Sequence, residues 1–124
     1  DATDKEVKQA IDKAHEAFLK WKETSFAERG RILQKAADLL RKDADSYAKI
    51  LTTEMGKLFV EAKLEVELSA KILEYYVKHS EKLLQPHKLP VLDPAEGDNT
   101  LVYEPLGVLL AIEPCSLGTS HIIR

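Results

Sequence analysis

The fold class is decided by six consecutive apolar residues, Gly107-Val108-Leu109-Leu110-Ala111-Ile112. A run that is continuously apolar, rather than alternating with polar residues, is typical of a strand covered on both faces, as in a parallel α/β sheet. A parallel strand needs a neighbour beyond a crossover of a dozen or more residues, and twelve residues follow Ile112. We therefore expect this segment to open the sheet of a larger α/β protein.

The chain changes character before it reaches that run. Residues 1–84 contain 16 Lys and Arg, 16 Asp and Glu, and no proline, whereas residues 85–124 contain all five prolines and seven charged residues. The first part is typical of amphipathic helices, and the second of strands and turns. Within the second part, residues 88–92 and 100–104 flank the turn-rich segment 93–99, which predicts a β-hairpin.

Local signals predict four helices within residues 1–84. Thr3 with Glu6, and Ser25 with Glu28, match the capping box, in which two side chains satisfy each other's orphan backbone amides. These boxes predict where the first and second helices begin. The 3.6-residue periodicity predicts inward-facing side chains on the first three helices, namely Val7, Ala10, Ile11, Ala14, Phe18 and Trp21, then Ile32, Leu33, Ala36, Ala37 and Leu40, then Tyr47, Ile50 and Leu51.

The third and fourth helices are bounded by other signals. Asp43 is a candidate N-cap of the third helix, and Gly56 can adopt the left-handed conformation that commonly ends a helix. The fourth helix then runs from about Leu58 to Leu84, roughly 40 Å at 1.5 Å per residue. Its apolar residues lie on more than one side, so we expect partners on several faces and aromatic side chains packed in a core.

Composition excludes several classes of function. The net charge is −3 and the isoelectric point is about 5.8, which gives no electrostatic basis for binding nucleic acid. One cysteine excludes an internal disulfide and a cysteine-rich zinc site, and no two of the four histidines have the spacing of a metal site. No apolar run approaches the ~18 residues of a membrane span. We therefore expect a soluble, cytoplasmic protein without metal, membrane or nucleic-acid partners.

Three segments resemble the N-terminal quarter of NAD(P)-dependent aldehyde dehydrogenases. They are ERGRILQKAADLLRKDADSYAKILTTEMGK (Glu28–Lys57), EVELSAKILEYYVKHSEKLL (Glu65–Leu84) and VYEPLGVLLAIEP (Val102–Pro114), and they follow the family's order. The wording TTEMGK is most similar to bacterial succinate-semialdehyde dehydrogenases. The resemblance implies part of an enzyme that oxidises an aldehyde, in this case succinate semialdehyde, to the acid with NAD or NADP.

The resemblance also implies a division of the chain within an α/β fold. Residues 1–84 would be the helical N-terminal part of the cofactor-binding domain, and residues 85–106 the hairpin of the oligomerisation domain. Residues 107–124 would supply the first strand of the dinucleotide-binding sheet and the start of the following helix. The chain itself would be mainly α-helical, followed by a hairpin and an incomplete sheet.

The chain departs from the family after Glu113 and Pro114. Where the family continues with Trp-Asn-Phe-Pro, this sequence has Cys-Ser-Leu-Gly at 115–118. The family's asparagine stabilises the oxyanion, and a preorganised donor of this kind lowers the activation barrier by about 3 kcal/mol. Ser116 occupies the position of that asparagine, and its side chain is shorter and ends in a single hydroxyl instead of an amide. By the same resemblance, the backbone of Glu113, Pro114 and Cys115 would pass the nicotinamide side of the cofactor.

The remaining family machinery would lie beyond residue 124. The family's nucleophilic cysteine, general-base glutamate and phosphate contacts all occur later, and no G-x-G-x-x-G or P-loop motif occurs here. We therefore expect the isolated chain to be catalytically inactive and to bind no cofactor.

Three tempting features have structural interpretations. Cys115 is a possible nucleophile, but it matches the family's tryptophan, and we interpret it as a packing thiol. Ser116 with His121 could form a hydrolase dyad, but Pro114 breaks the G-x-S-x-G pattern. Leu68 and the neighbouring pair Tyr75 and Tyr76 match positions near the family's substrate tunnel. This chain alone does not form the complete tunnel.

A second hypothesis is a non-catalytic helical and hairpin module that self-associates. An unpartnered apolar strand at 107–112 and an exposed hairpin edge would be covered by a second chain. If the chain is instead part of an aldehyde dehydrogenase, a small aldehyde would bind only to the intact enzyme.

Overall fold

The computed structural model describes residues 1–93, 95 and 97–112 of the 124-residue chain. Four helices and a two-stranded antiparallel hairpin follow one another, which confirms the predicted, mainly helical architecture. The elements are α1 (Asp4–Trp21), α2 (Phe26–Lys42), α3 (Ala44–Met55), α4 (Phe59–Leu83), β1 (His87–Leu89) and β2 (Asn99–Leu101).

The first two helices begin at the predicted capping residues. Thr3 Oγ1 accepts a hydrogen bond from the Glu6 backbone amide at 3.4 Å, and the Glu6 carboxylate accepts one from the Thr3 amide at 2.8 Å. These hydrogen bonds with Thr3 hold the pKa of Glu6 below its ordinary value. At the start of α2, Ser25 Oγ accepts from the Glu28 amide at 3.2 Å. Local hydrogen bonding therefore defines both starts.

The two ends of α3 are formed in different ways. Asp43 occupies the N-cap position as predicted, but its side chain makes no capping hydrogen bond. The same residue also ends α2, with φ −108° and ψ 23°, so it does not take the extended conformation usual for a side-chain cap. At the other end, Gly56 adopts the predicted left-handed conformation with φ 69°, and its amide donates to the Thr52 carbonyl at 3.0 Å.

Two compact units make up the described chain, and one contains residues 25–79 together with 110–112. Its helices pack around a core built largely from small side chains. Gly30 on α2 is buried, and a Cβ atom at this position would lie 3.5 Å from Val77 Cγ1 on α4. Such side chains allow helices to approach closely. The buried apolar residues of this unit are Ala37, Ala48, Ala62, Val66, Ala70 and Leu73.

The core does not use all the side chains that periodicity predicts. Ile32, Tyr47 and Ile50 were expected to face inward, and all three are exposed. On α3 the buried residue is instead Ala48, which is next to Tyr47 in sequence but about 100° away around the helix. The prediction was wrong here because the direction of the partner helix, rather than side-chain size, selects the buried face.

The other unit contains residues 1–24 and 80–109. Helix α1 has no fully buried residue, and Val7, Ile11 and Trp21 of its predicted apolar stripe are exposed. Strands β1 and β2 pair antiparallel with Lys88 opposite Thr100, which confirms the predicted hairpin. Each strand has three residues rather than the expected five.

The predicted strand at residues 107–112 is not formed in the part of the chain that the structure describes. Leu110 and Ile112 are both 86% exposed. A strand is defined by hydrogen bonds to a neighbour, and β1 and β2 pair with each other. Apolar composition therefore does not produce a strand where no partner strand is present.

Candidate functional site

The residues predicted to form the site fall outside the described part of the chain. Glu113, Pro114, Cys115 and Ser116 lie there, as does His121 of the alternative dyad. Their contacts with the nicotinamide and the oxyanion remain predictions. The structure does describe Leu68, Tyr75 and Tyr76 on α4, which the sequence resemblance predicts to lie near the family's substrate tunnel.

One face of α4 carries an exposed apolar stripe. Val60, Leu64, Leu68 and Tyr75 are spaced by four, four and seven residues, which places them on the same side of the helix. All four side chains are exposed. The prediction that aromatic side chains pack in the core is therefore wrong for Tyr75, because the face it occupies is uncovered in the described chain.

A shallow groove of about 440 Å³ lies at the C-terminal end of this stripe. It is lined by Lys71, Ile72, Tyr75 and Tyr76. The Tyr75 ring meets the Tyr76 ring edge to face at 5.6 Å between centroids, and the His79 ring at 4.6 Å. An aromatic wall with one ammonium group can hold an apolar or weakly anionic group, but these four lining residues include no cysteine, serine or carboxylate for covalent chemistry.

A second groove, of about 610 Å³, belongs to the unit that contains α1. His15 lies within it and contacts the Phe18 ring at 6.2 Å between centroids. Gly107 also lines it and has φ 104°, a left-handed conformation that an L-residue rarely adopts. The other lining residues are Ile11, Asp12, Glu16, Phe18, Leu106 and Val108.

A three-residue charge cluster joins α2 to α4. Arg41 Nε donates to Glu67 Oε2 at 3.0 Å, and Arg41 Nη2 donates to Glu67 Oε1 at 3.2 Å and to Glu74 Oε2 at 2.9 Å. Arg41 Nη1 donates to the other oxygen of Glu74, which also accepts from Gln34 Nε2 at 3.4 Å. The guanidinium holds the pKa of both carboxyl groups below its ordinary value, and the carboxylates raise the pKa of Arg41. With every carboxylate oxygen hydrogen-bonded, the cluster links the helices and is not arranged for proton transfer.

A buried ion pair connects the α3–α4 turn to α4. Lys57 follows Gly56, and its Nζ contacts Glu65 Oε2. The Glu65 side chain is only 5% exposed. Its second oxygen, Oε1, and Thr52 Oγ1 are buried without a hydrogen-bond partner among the described residues. The pair is a feature of the packed interior, since Glu65 lines neither groove.

The described residues show no other arrangement with obvious chemistry. No group of three or more His, Cys, Asp or Glu side chains among them is placed to hold a metal ion. His79 stacks on Tyr75, and His87 meets the Tyr103 ring at 6.4 Å between centroids. Within the described ranges no helix combines the length and apolarity needed to cross a bilayer.

Comparison with known proteins decides the family. A sequence model of the aldehyde dehydrogenase family matches residues 1–117. The chain belongs to the aldehyde dehydrogenase family. The matched range includes the predicted site residues 113–116, and it confirms the resemblance drawn from the sequence.

Several relatives of this aldehyde dehydrogenase chain are named for the same substrate, succinate semialdehyde. The succinate-semialdehyde dehydrogenase [NADP(+)] of Deinococcus radiodurans is 38% identical over 119 residues, which are 96% of this chain and 24% of that protein. Succinate-semialdehyde dehydrogenase [NADP(+)] 1 of Mycobacterium tuberculosis is 41% identical over 123 residues, which are 99% of this chain and 27% of that protein. The chain thus spans about a quarter of the length of the relatives it matches.

A solved structure agrees with the sequence comparison. The succinic semialdehyde dehydrogenase of Streptococcus pyogenes, in complex with NADP+, superimposes with a TM-score of 0.89 at 34% identity. The match covers 98% of this chain and 26% of that one. The helices and hairpin described above are therefore those of the aldehyde dehydrogenase fold.

The sequence analysis missed the two charged clusters. Glu65 lies on the side of α4 that buries Ala62 and Ser69, which are three and four residues away. An acid within a run of small buried side chains is the signal that could have predicted an ion pair, with Lys57 as its cation. The Arg41 cluster had a weaker signal, the seven-residue spacing of two glutamates on one helix face.

Proposed function

We propose that this chain is the N-terminal part of an NADP-dependent succinate-semialdehyde dehydrogenase. The observation that carries the proposal is the 38–41% identity, across nearly the whole chain, to relatives that bear this name. The complex of the Streptococcus pyogenes enzyme with NADP+ supports the choice of cofactor. The reaction would convert the aldehyde, water and NADP+ into the carboxylic acid, NADPH and a proton.

Within that enzyme the chain would contribute structure and part of the site. The backbone of Glu113, Pro114 and Cys115 would pass the nicotinamide, and Ser116 would stand where the family places its oxyanion-stabilising amide. Leu68 and Tyr75 would face the substrate. The oligomerisation domain would include the hairpin at 85–106, and the enzyme would be cytoplasmic.

The residues present do not fit a bound dinucleotide on their own. The five glycines of the chain are scattered at 30, 56, 97, 107 and 118, so no glycine-rich phosphate loop occurs. The segment 107–112 would lead to the nicotinamide, but none of its residues forms a strand in the described structure. All of its residues except Gly107 are exposed. The isolated chain would therefore bind no NADP and would be inactive.

The test is a chimera in which residues 1–124 replace the matching segment of the Streptococcus pyogenes enzyme. The chimera and the isolated chain, each of verified mass, are assayed for NADPH formation with succinate semialdehyde. The proposal is supported if the chimera oxidises succinate semialdehyde while the isolated chain does not. The isolated chain should also show no binding of NADPH by fluorescence. The matched control is the unaltered Streptococcus pyogenes enzyme. A folded chimera that oxidises other aldehydes but not succinate semialdehyde would refute the substrate.

A second candidate function is a self-associating, non-catalytic module. The favouring observation is exposed apolar surface on the isolated chain, including the α4 stripe and Leu110 and Ile112. Apolar surface of this kind is covered in most stable proteins. Light scattering over a dilution series tests it, with the variant Leu110→Lys, Ile112→Lys as the comparison. A monomer that binds no dye specific for exposed apolar surface would exclude this function.

A further inference from the structure

We draw no further inference here: the strongest candidate, the exposed apolar stripe of α4 formed by Val60, Leu64, Leu68 and Tyr75, is an unpartnered helix face, and nothing in the structure shows what covers it.

Discussion

The close approach of α2 and α4 at Gly30 predicts whether replacing this glycine with alanine stabilises or destabilises the chain. Gly30 is in the interior of α2, where alanine is favoured over glycine by about 1 kcal/mol. The added Cβ would lie 3.5 Å from Val77 Cγ1, which is ordinary van der Waals contact. No strain offsets the gain in helix propensity, so we expect Gly30→Ala to stabilise the chain by about 1 kcal/mol.

The assay is urea unfolding of the 124-residue chain followed by far-ultraviolet circular dichroism. With an m-value of about 2 kcal/mol per M of urea, a stabilisation of about 1 kcal/mol raises the urea midpoint by roughly 0.5 M. The matched control is the same substitution at Gly56, which has φ 69° and open space around its Cβ position. There the left-handed conformation costs alanine about 1 kcal/mol or more, so Gly56→Ala should destabilise.

The two variants separate packing from backbone conformation. A Gly30→Ala chain that unfolds at lower urea than wild type would mean that α2 and α4 lie closer together than the structure has them. A neutral Gly56→Ala chain would contradict the left-handed end of α3. Opposite signs from the same chemical change are the expected result.

Three further predictions concern charges and the site. Arg41 lowers the pKa of Glu74 from its ordinary value of 4.5, so the pair stabilises the fold above that pH, and this stabilisation is lost as the pH falls through the lowered pKa. The difference in stability between wild type and Glu74→Gln should therefore shrink on acidification. A difference in urea midpoint that stays constant from pH 7 to pH 3 would contradict this prediction. The substitution Lys57→Met removes one partner of the ion pair with Glu65 and should lower the free energy of unfolding by about 3 kcal/mol. Adding Glu65→Leu should restore much of that stability. A double variant that is no more stable than Lys57→Met alone would argue against an uncompensated buried charge. In the chimera, Ser116→Asn should raise kcat by about 10²-fold or more with little change in KM, and steady-state rates showing no gain would remove Ser116 from the oxyanion position.

The helices could be predicted because their boundaries are set by neighbouring residues. The capping box at Thr3, the side-chain cap at Ser25 and the left-handed Gly56 need nothing beyond one turn of chain, and the structure forms all three. The junction at Asp43 was harder, because one residue serves two helices and its conformation is a compromise between them.

The buried faces and the strand could not be predicted with the same success. Periodicity gives the apolar sides of a helix, but Tyr47 and Ala48 are both apolar neighbours, and the partner helix selects the smaller one. The run at 107–112 has the composition of a buried strand, yet strand formation depends on a neighbour distant in sequence. The candidate site residues 113–116 follow from family resemblance, and their roles stay predictions.

The alanine-rich interior gives this part of the protein a one-sided tolerance to mutation. In a leucine-rich core most substitutions remove atoms and leave cavities, whereas Ala37, Ala48, Ala62 and Ala70 have almost nothing to remove. Any larger side chain there must push two helices apart. Selection would therefore act as an upper limit on side-chain size at these four positions, and saturation mutagenesis should show serine tolerated where valine and leucine are not.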